Sequence, residues 1–292
     1  MKKSVNTHLD GYLYIAPVCI GILIFVVIPI LASIGLSFTE WNMVTEPKFV
    51  GFKNYISIFE DPLSMKSFYN TIQYTLIYVP LLLITSILLA LLVNSETFGV
   101  KFFRTVFFIP SVASIAAIGL VWIYLLHTDF GVVNYYLGFL GIPPVDWLTN
   151  KHTVIPALAT VAVWQSMGYN MMLFVAGLKG IPATLYEAAK IDGARPVYQF
   201  FKITLPLLTP TVFFVMIMGV IGSIQSFANV AVMTKGGPAN ASNLYVYNLY
   251  QNAFMYNNRM GFACSLSVCL AIVMFIITLI QWKGQNKWVF YG

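Results

Sequence analysis

Five charged side chains, Glu187, Lys190, Asp192, Arg195 and Lys202, stand in one stretch, YEAAKIDGARPVYQFFKITLP, from Tyr186 to Pro206. They interrupt a chain that is 59% hydrophobic and 9% charged, where a soluble domain carries roughly a quarter charged residues. Charge placed this way suits recognition of a partner in water. A second set of polar side chains is uncharged: Trp164, Gln165, Ser166, Tyr169 and Asn170 in one apolar run, Ser223, Gln225, Ser226 and Asn229 in another. Amides, hydroxyls and aromatic faces read a neutral, hydroxyl-rich ligand, which favours a sugar. Their other role is to hydrogen-bond one membrane helix to the next. The spacings of catalysis are missing. The histidines are His8, His127 and His152, all outside the apolar runs, with no HExxH, nucleophile elbow or carboxylate pair in those runs. We therefore expect no catalytic residue, and an intramembrane enzyme becomes the distant rival. Cys19, Cys264 and Cys269 lie in apolar runs as small hydrophobes, without disulfide or metal-ligand spacing. No GxxxxGK[ST] phosphate loop occurs, nor any Gly-Lys dipeptide, so the chain binds no ATP in the P-loop manner and carries no cofactor of its own.

The elements that position these residues are membrane helices. Six apolar runs, Tyr12 to Phe38, Asn70 to Ser95, Thr105 to Leu126, Thr153 to Leu178, Leu207 to Met233 and Met260 to Trp282, contain no Asp, Glu, Lys, Arg or His. Each can cross about 30 Å of hydrocarbon as a helix. The expected fold is all-α and integral to the membrane, with six spans in a single domain over residues 1–292. Spans without ionisable groups exclude a proton-coupled carrier. The first run follows a short basic start, MKK, but is too long for a signal peptide and reads as a permanent helix.

Basic residues set the orientation. Lys2, Lys3, Lys101, Arg104, Lys179, Lys190, Arg195, Lys202, Lys283 and Lys287 fall on one side, with only Asp10, Glu96, Glu187 and Asp192 as acids. The other side carries six basic residues (Lys48, Lys53, Lys66, Lys151, Lys235 and Arg259) and six acidic ones. Both termini are thus expected in the cytoplasm, and the net charge of +6 marks topology, not nucleic-acid binding.

The charged stretch belongs to a cytoplasmic elbow over residues 182–206. Pro182 suits a first helical turn, Ala183 through Asp192 reads as a short helix with Leu185, Ala188 and Ala189 on one face, and Gly193 ends it. Pro196 starts a second arm with Val197, Phe200 and Phe201 on one face, before Leu205-Pro206 turns the chain into the fifth span. Such an elbow either lies on lipid headgroups or docks into a cytoplasmic partner.

The spacing Glu187-Ala188-Ala189, three residues, Gly193, nine residues, Ile203, one residue, Leu205-Pro206 resembles the EAA motif of the membrane subunits of bacterial ABC importers. Phe49 to Tyr55 with Asn70-Thr71, Thr234 to Pro238 (TKGGP) and Tyr250 to Phe254 extend the likeness to the sugar-permease branch, the maltose-type and glycerol-phosphate-type permeases. The resemblance implies a type I ABC importer fold in a prokaryotic cytoplasmic membrane. It implies as partners a second, non-identical permease, two ATPase subunits that bind ATP and Mg, an external solute-binding protein and a sugar. It makes the elbow a coupling helix, with Leu185, Glu187, Ala188, Ala189, Asp192 and Gly193 at the ATPase. It places Gln165, Ser166, Tyr169, Gly222, Ser223 and Ser226 on the substrate pathway, with Gly219 at a further contact position. Gly222 stands where the maltose-type protein presents an aromatic ring, so maltose itself is not the expected ligand. Glycerol phosphate or another small anion is the alternative cargo, and a passive channel the alternative mechanism.

Overall fold

The computed structural model describes residues 7–95, 98–256 and 259–290. Of the charges counted above, Lys2, Lys3 and Glu96 lie outside the described residues, as do the side chains of His8 and Asp10. The helices run in the order α1 (Thr7–Ile22), a π-helical turn (Leu23–Val27), α2 (Ile28–Ser37), the paired strands β1 (Thr39–Glu40) and β2 (Lys48–Phe49), α3 (Lys53–Glu60) and α4 (Pro62–Leu92). Next come α5 (Val100–Val112), α6 (Ile115–Leu125), α7 (Val132–Phe139), α8 (Val154–Lys179) and α9 (Ala183–Ile191). The chain continues through α10 (Pro196–Gln199), a second π-turn (Phe200–Thr204), α11 (Leu205–Ile224), α12 (Ala228–Met233), α13 (Tyr245–Tyr250), a third π-turn (Gln251–Met255) and α14 (Met260–Gln285).

Two compact units emerge. The first holds the described residues of Met1–Asp61 and Leu249–Val273. In it, the Asn54 amide donates to the Ser37 and Thr39 carbonyls and so fastens α3 to the chain leaving α2. Gly261 comes so close to this ribbon that any Cβ would overlap the Thr39 carbonyl, and its N–H donates to the Trp41 carbonyl at 3.2 Å. The second unit holds the described residues of Pro62–Asn248 and Met274–Gly292. Its centre is α8, which packs against α4, α5 and α11, with Val154, Leu158, Ala159, Met171 and Phe174 fully buried.

Four stretches are long and apolar enough to cross a membrane: Tyr14–Ser37, Pro62–Leu92, Pro196–Ile224 and Met260–Gln285. A fifth forms only if α5 and α6, bent by 103°, count as one span. The expected third span, Thr105 to Leu126, is therefore broken. α5 continues through Pro110 to Val112, and the break follows at Ala113 and Ser114, which are extended. The fourth expected span, α8, has 26 residues but does not join the apolar group. Its polar residues between Gln165 and Asn170 dilute the hydropathy, which a helix enclosed by other helices tolerates.

The fifth span differs from expectation at both ends. The helix runs unbroken from Pro196 to Ile224, so Leu205-Pro206 is no turn. The π-turn Phe200–Thr204 widens the helix immediately before Pro206, and the Leu205 N–H donates to the Phe200 carbonyl, five residues back. That widening takes up the ring and the missing N–H that would otherwise kink the helix. The same device precedes Pro29, where the Ile28 N–H donates to the Leu23 carbonyl. At the other end the helix stops at Gln225, and Asn229 to Met233 belong to the separate α12.

Candidate functional site

The α5–α6 and α11–α12 breaks open onto one cavity of about 760 Å³. Ala113 and Ser114 line it from the α5–α6 break, and Gln225, Ser226 and Phe227 from the α11–α12 break. Interrupted helices are tolerated at membrane depth where they line a cavity, because their free backbone groups need polar surroundings. All six residues expected on the pathway, Gln165, Ser166, Tyr169, Gly222, Ser223 and Ser226, line this cavity. Its lining contains no Asp, Glu, Lys, Arg or His among the described residues.

Hydrogen bonds between helices fix the wall. The Ser111 hydroxyl donates to the Gln165 carbonyl at 2.9 Å and accepts from the Tyr169 N–H at 3.1 Å, bolting α5 to α8. Gly168 makes this crossing possible, since a Cβ there would overlap the Phe107 carbonyl. The Gln165 amide reaches the Ala113 carbonyl at 3.4 Å, at the break itself. The Ser166 hydroxyl donates to the Ala162 carbonyl at 2.7 Å. Its one proton is thereby engaged, so the Tyr78 hydroxyl, 2.9 Å away, is the donor of that pair. Ser223 donates to Thr75 at 3.0 Å, and Ser226 to the Tyr74 hydroxyl at 3.5 Å. The serines thus perform the interhelical role, while the Tyr169 side chain is 53% exposed and Gly222 opens onto space.

Other expected residues stand elsewhere. Gly219 packs against Leu82 and Val79. Trp164 meets Trp122 edge to face at 5.4 Å, and the Asn170 amide donates to the Ser166 carbonyl. Tyr74 and Tyr78, stacked at 5.8 Å on α4, line the cavity without having been singled out in the sequence. Their signal was a four-residue spacing that puts both rings on one helix face.

The elbow is exposed. No residue of α9 is buried, and Leu185 and Ile191 are exposed apolar side chains beside Glu187 and Ala188. Pro182 is the extended cap residue and not part of the first turn. At the far end Gly193 has φ +75°. Its N–H donates to the Lys190 carbonyl and that of Ala194 to the Ala189 carbonyl, a Schellman closure that favours glycine. The Tyr186 hydroxyl lies 2.9 Å from Thr204 Oγ1, tying the first arm of the elbow to the second.

Apolar helices around an uncharged cavity, with an exposed elbow between two of them, define a membrane transport component. The matching family model, "Binding-protein-dependent transport system inner membrane component", spans residues 65–282, and the chain belongs to that family. It is 38% identical over 299 residues to the probable ABC transporter permease protein YesP of Bacillus subtilis, covering 100% of this chain and 96% of the relative. It is 32% identical over 297 residues to the lactose transport system permease protein LacF of Rhizobium radiobacter, covering 98% of each. A solved bacterial ABC transporter involved in import of the acidic polysaccharide alginate superposes with a TM-score of 0.84 at 22% identity, covering 98% of both chains, which establishes the fold.

Proposed function

We propose that this chain forms half of the translocation pathway of an ATP-driven importer for a sugar or oligosaccharide, delivered by an external binding protein. The observation that carries the reading is the convergence of the six residues expected on the pathway on one uncharged cavity beside two helix breaks. A neutral, hydroxyl-rich ligand suits such a wall, and the likeness to a lactose permease points the same way. In this reading residues 1–292 make one permease domain of six spans, counting α8 and the bent pair, with both termini in the cytoplasm. A second, non-identical permease completes the pathway. Two ATPase subunits bind ATP and Mg, and Leu185, Glu187, Ala188, Ala189, Asp192 and Gly193 meet one of them. The exposure of the elbow and the glycine that closes it support that contact.

The test is uptake by the assembled transporter in proteoliposomes. Replacing the phosphate-loop lysine of the ATPase should abolish uptake, and continued uptake would mean a passive pore. Tyr169→Ala and Gln165→Ala should each lower uptake of a neutral saccharide. Full uptake in both variants, or uptake of glycerol 3-phosphate in place of any saccharide, would refute the assignment of site and cargo.

A further inference from the structure

Most polar groups on the cavity wall are already bonded within the protein. Ser166 and Tyr78 hold each other, Ser223 holds Thr75, and Ser226 reaches Tyr74. Asn229, in the first turn of α12, differs from them. It lines the same cavity and is only 8% exposed, and its Oδ1 is buried without a hydrogen-bond partner among the described residues. Buried carboxamides are nearly always bonded, so an unpaired one on a cavity wall marks a place for an outside group.

Resting on the reading of this cavity as a sugar pathway, we propose that Asn229 is a specificity-determining residue whose carboxamide takes a hydrogen bond from a ring hydroxyl of the passing saccharide. A hydroxyl both donates and accepts, so it satisfies the carboxamide whichever of its two ends faces the ligand. Tyr169, half exposed on the same wall, presents an aromatic face for the C–H surface of the ring. One neutral hydrogen bond discriminates without trapping the ligand, as a pathway requires. A saccharide lacking the matching hydroxyl leaves the buried oxygen unpaired, and its passage should be disfavoured about tenfold.

The experiment uses the complete transporter in proteoliposomes with its binding protein saturated, so that the translocation step sets the rate. A panel of neutral radiolabelled mono- to pentasaccharides identifies a transported parent, and its mono-deoxy analogues are then compared in wild type and Asn229→Leu. We expect one analogue to fall about tenfold below the parent in wild type, and that ratio to collapse to near one in Asn229→Leu while the other ratios hold. Asn229→Ala, smaller and without a polar group, gives the same readout if the leucine variant fails to assemble. Discrimination that survives both substitutions, or a uniform fall for every analogue, would make Asn229 a packing residue and overturn the proposal. Equal passage of all analogues in wild type would overturn it too. A panel from which nothing is transported would instead overturn the sugar reading itself.

Discussion

Gly168 and Gly222 offer the same chemical change, one added methyl, with opposite expected results. At Gly168 an alanine Cβ would overlap the Phe107 carbonyl oxygen and stand 2.5 Å from its carbon and 2.9 Å from Phe108 Cα. Carbon atoms need about 3.5 Å or more, so α5 and α8 must part by about 1 Å. That movement stretches the two Ser111 bonds, now 2.9 and 3.1 Å, past the range of a hydrogen bond. Overpacking of this kind costs about 1–3 kcal/mol, and each lost bond about 0.5–1.5 kcal/mol. The sum is on the order of 2–6 kcal/mol, or a fall in Tm on the order of 10 °C for a chain of this length.

At Gly222 the Cβ meets nothing within 4 Å, and the residue lies within α11. Alanine there should be neutral or stabilise by up to about 0.5–1 kcal/mol, because it restricts the unfolded chain. Thermal unfolding of the purified complex, with proteoliposome uptake beside it, measures both. Gly168→Ala with an unchanged Tm and full uptake would refute the close crossing of α5 and α8 and the site geometry built on it.

Gly193→Val should lower uptake and the yield of crosslinks from Ala188→Cys to the ATPase, since its φ of +75° costs an ordinary residue about 1–2 kcal/mol. Gly193→Asn, which tolerates that region, should retain most of both, and equal loss in the two variants would implicate size in place of backbone conformation. Gly222→Trp should fill part of the 760 Å³ cavity and shift uptake toward shorter saccharides, read from the size dependence of the panel. At Gly177 a Cβ would lie 2.6 Å from Thr211 Oγ1 and 2.9 Å from Leu208 Cδ1, both movable side-chain ends. Gly177→Ala should therefore lower Tm less than Gly168→Ala does, and the reverse order would contradict the packing.

The elbow was legible because its determinants are local. Pro182 and Gly193 bound a nine-residue helix by backbone preferences that need no tertiary partner, and the helix Ala183–Ile191 matches the sequence reading within a residue. The cavity-lining polar residues of α8 stood out because polar side chains in an apolar run are costly unless enclosed, and the family resemblance picked out Gln165, Ser166 and Tyr169 among them. The helix breaks were not legible. Ala113, Ser114 and Phe227 carry no breaking signal of their own, and Ser111 is held by α8, a partner more than 50 residues away in sequence. Hydropathy averages straight through such places. Pro206 misled for the converse reason: proline reads as an interruption, yet the widened turn before it keeps the helix whole.

The charged elbow and the uncharged cavity lie on the same two helices, and their separation follows from one contact. Gly177 of α8 faces Leu208 and Thr211 of α11, which sets the two helices level with each other. Eleven residues further from the elbow on each helix stand Ser166 and Gly222, both on the cavity wall. At 1.5 Å per residue that is about 17 Å of helix on either side. Along α8 most residues from Phe174 back to Val154 are buried, and along α11 the π-turn accommodates Pro206 while Pro210 lies inside the helix. In the proposed importer, a displacement of the exposed elbow that joins these two helices would reach their other end as a change in their separation or tilt. The serines bridging to Tyr78 and Thr75 stand where that change arrives. Neutral hydrogen bonds worth about 1 kcal/mol each can be exchanged there during such a movement, whereas buried ion pairs of several kcal/mol would lock it. An uncharged wall is thus what a moving pathway requires, as well as what a neutral ligand suits.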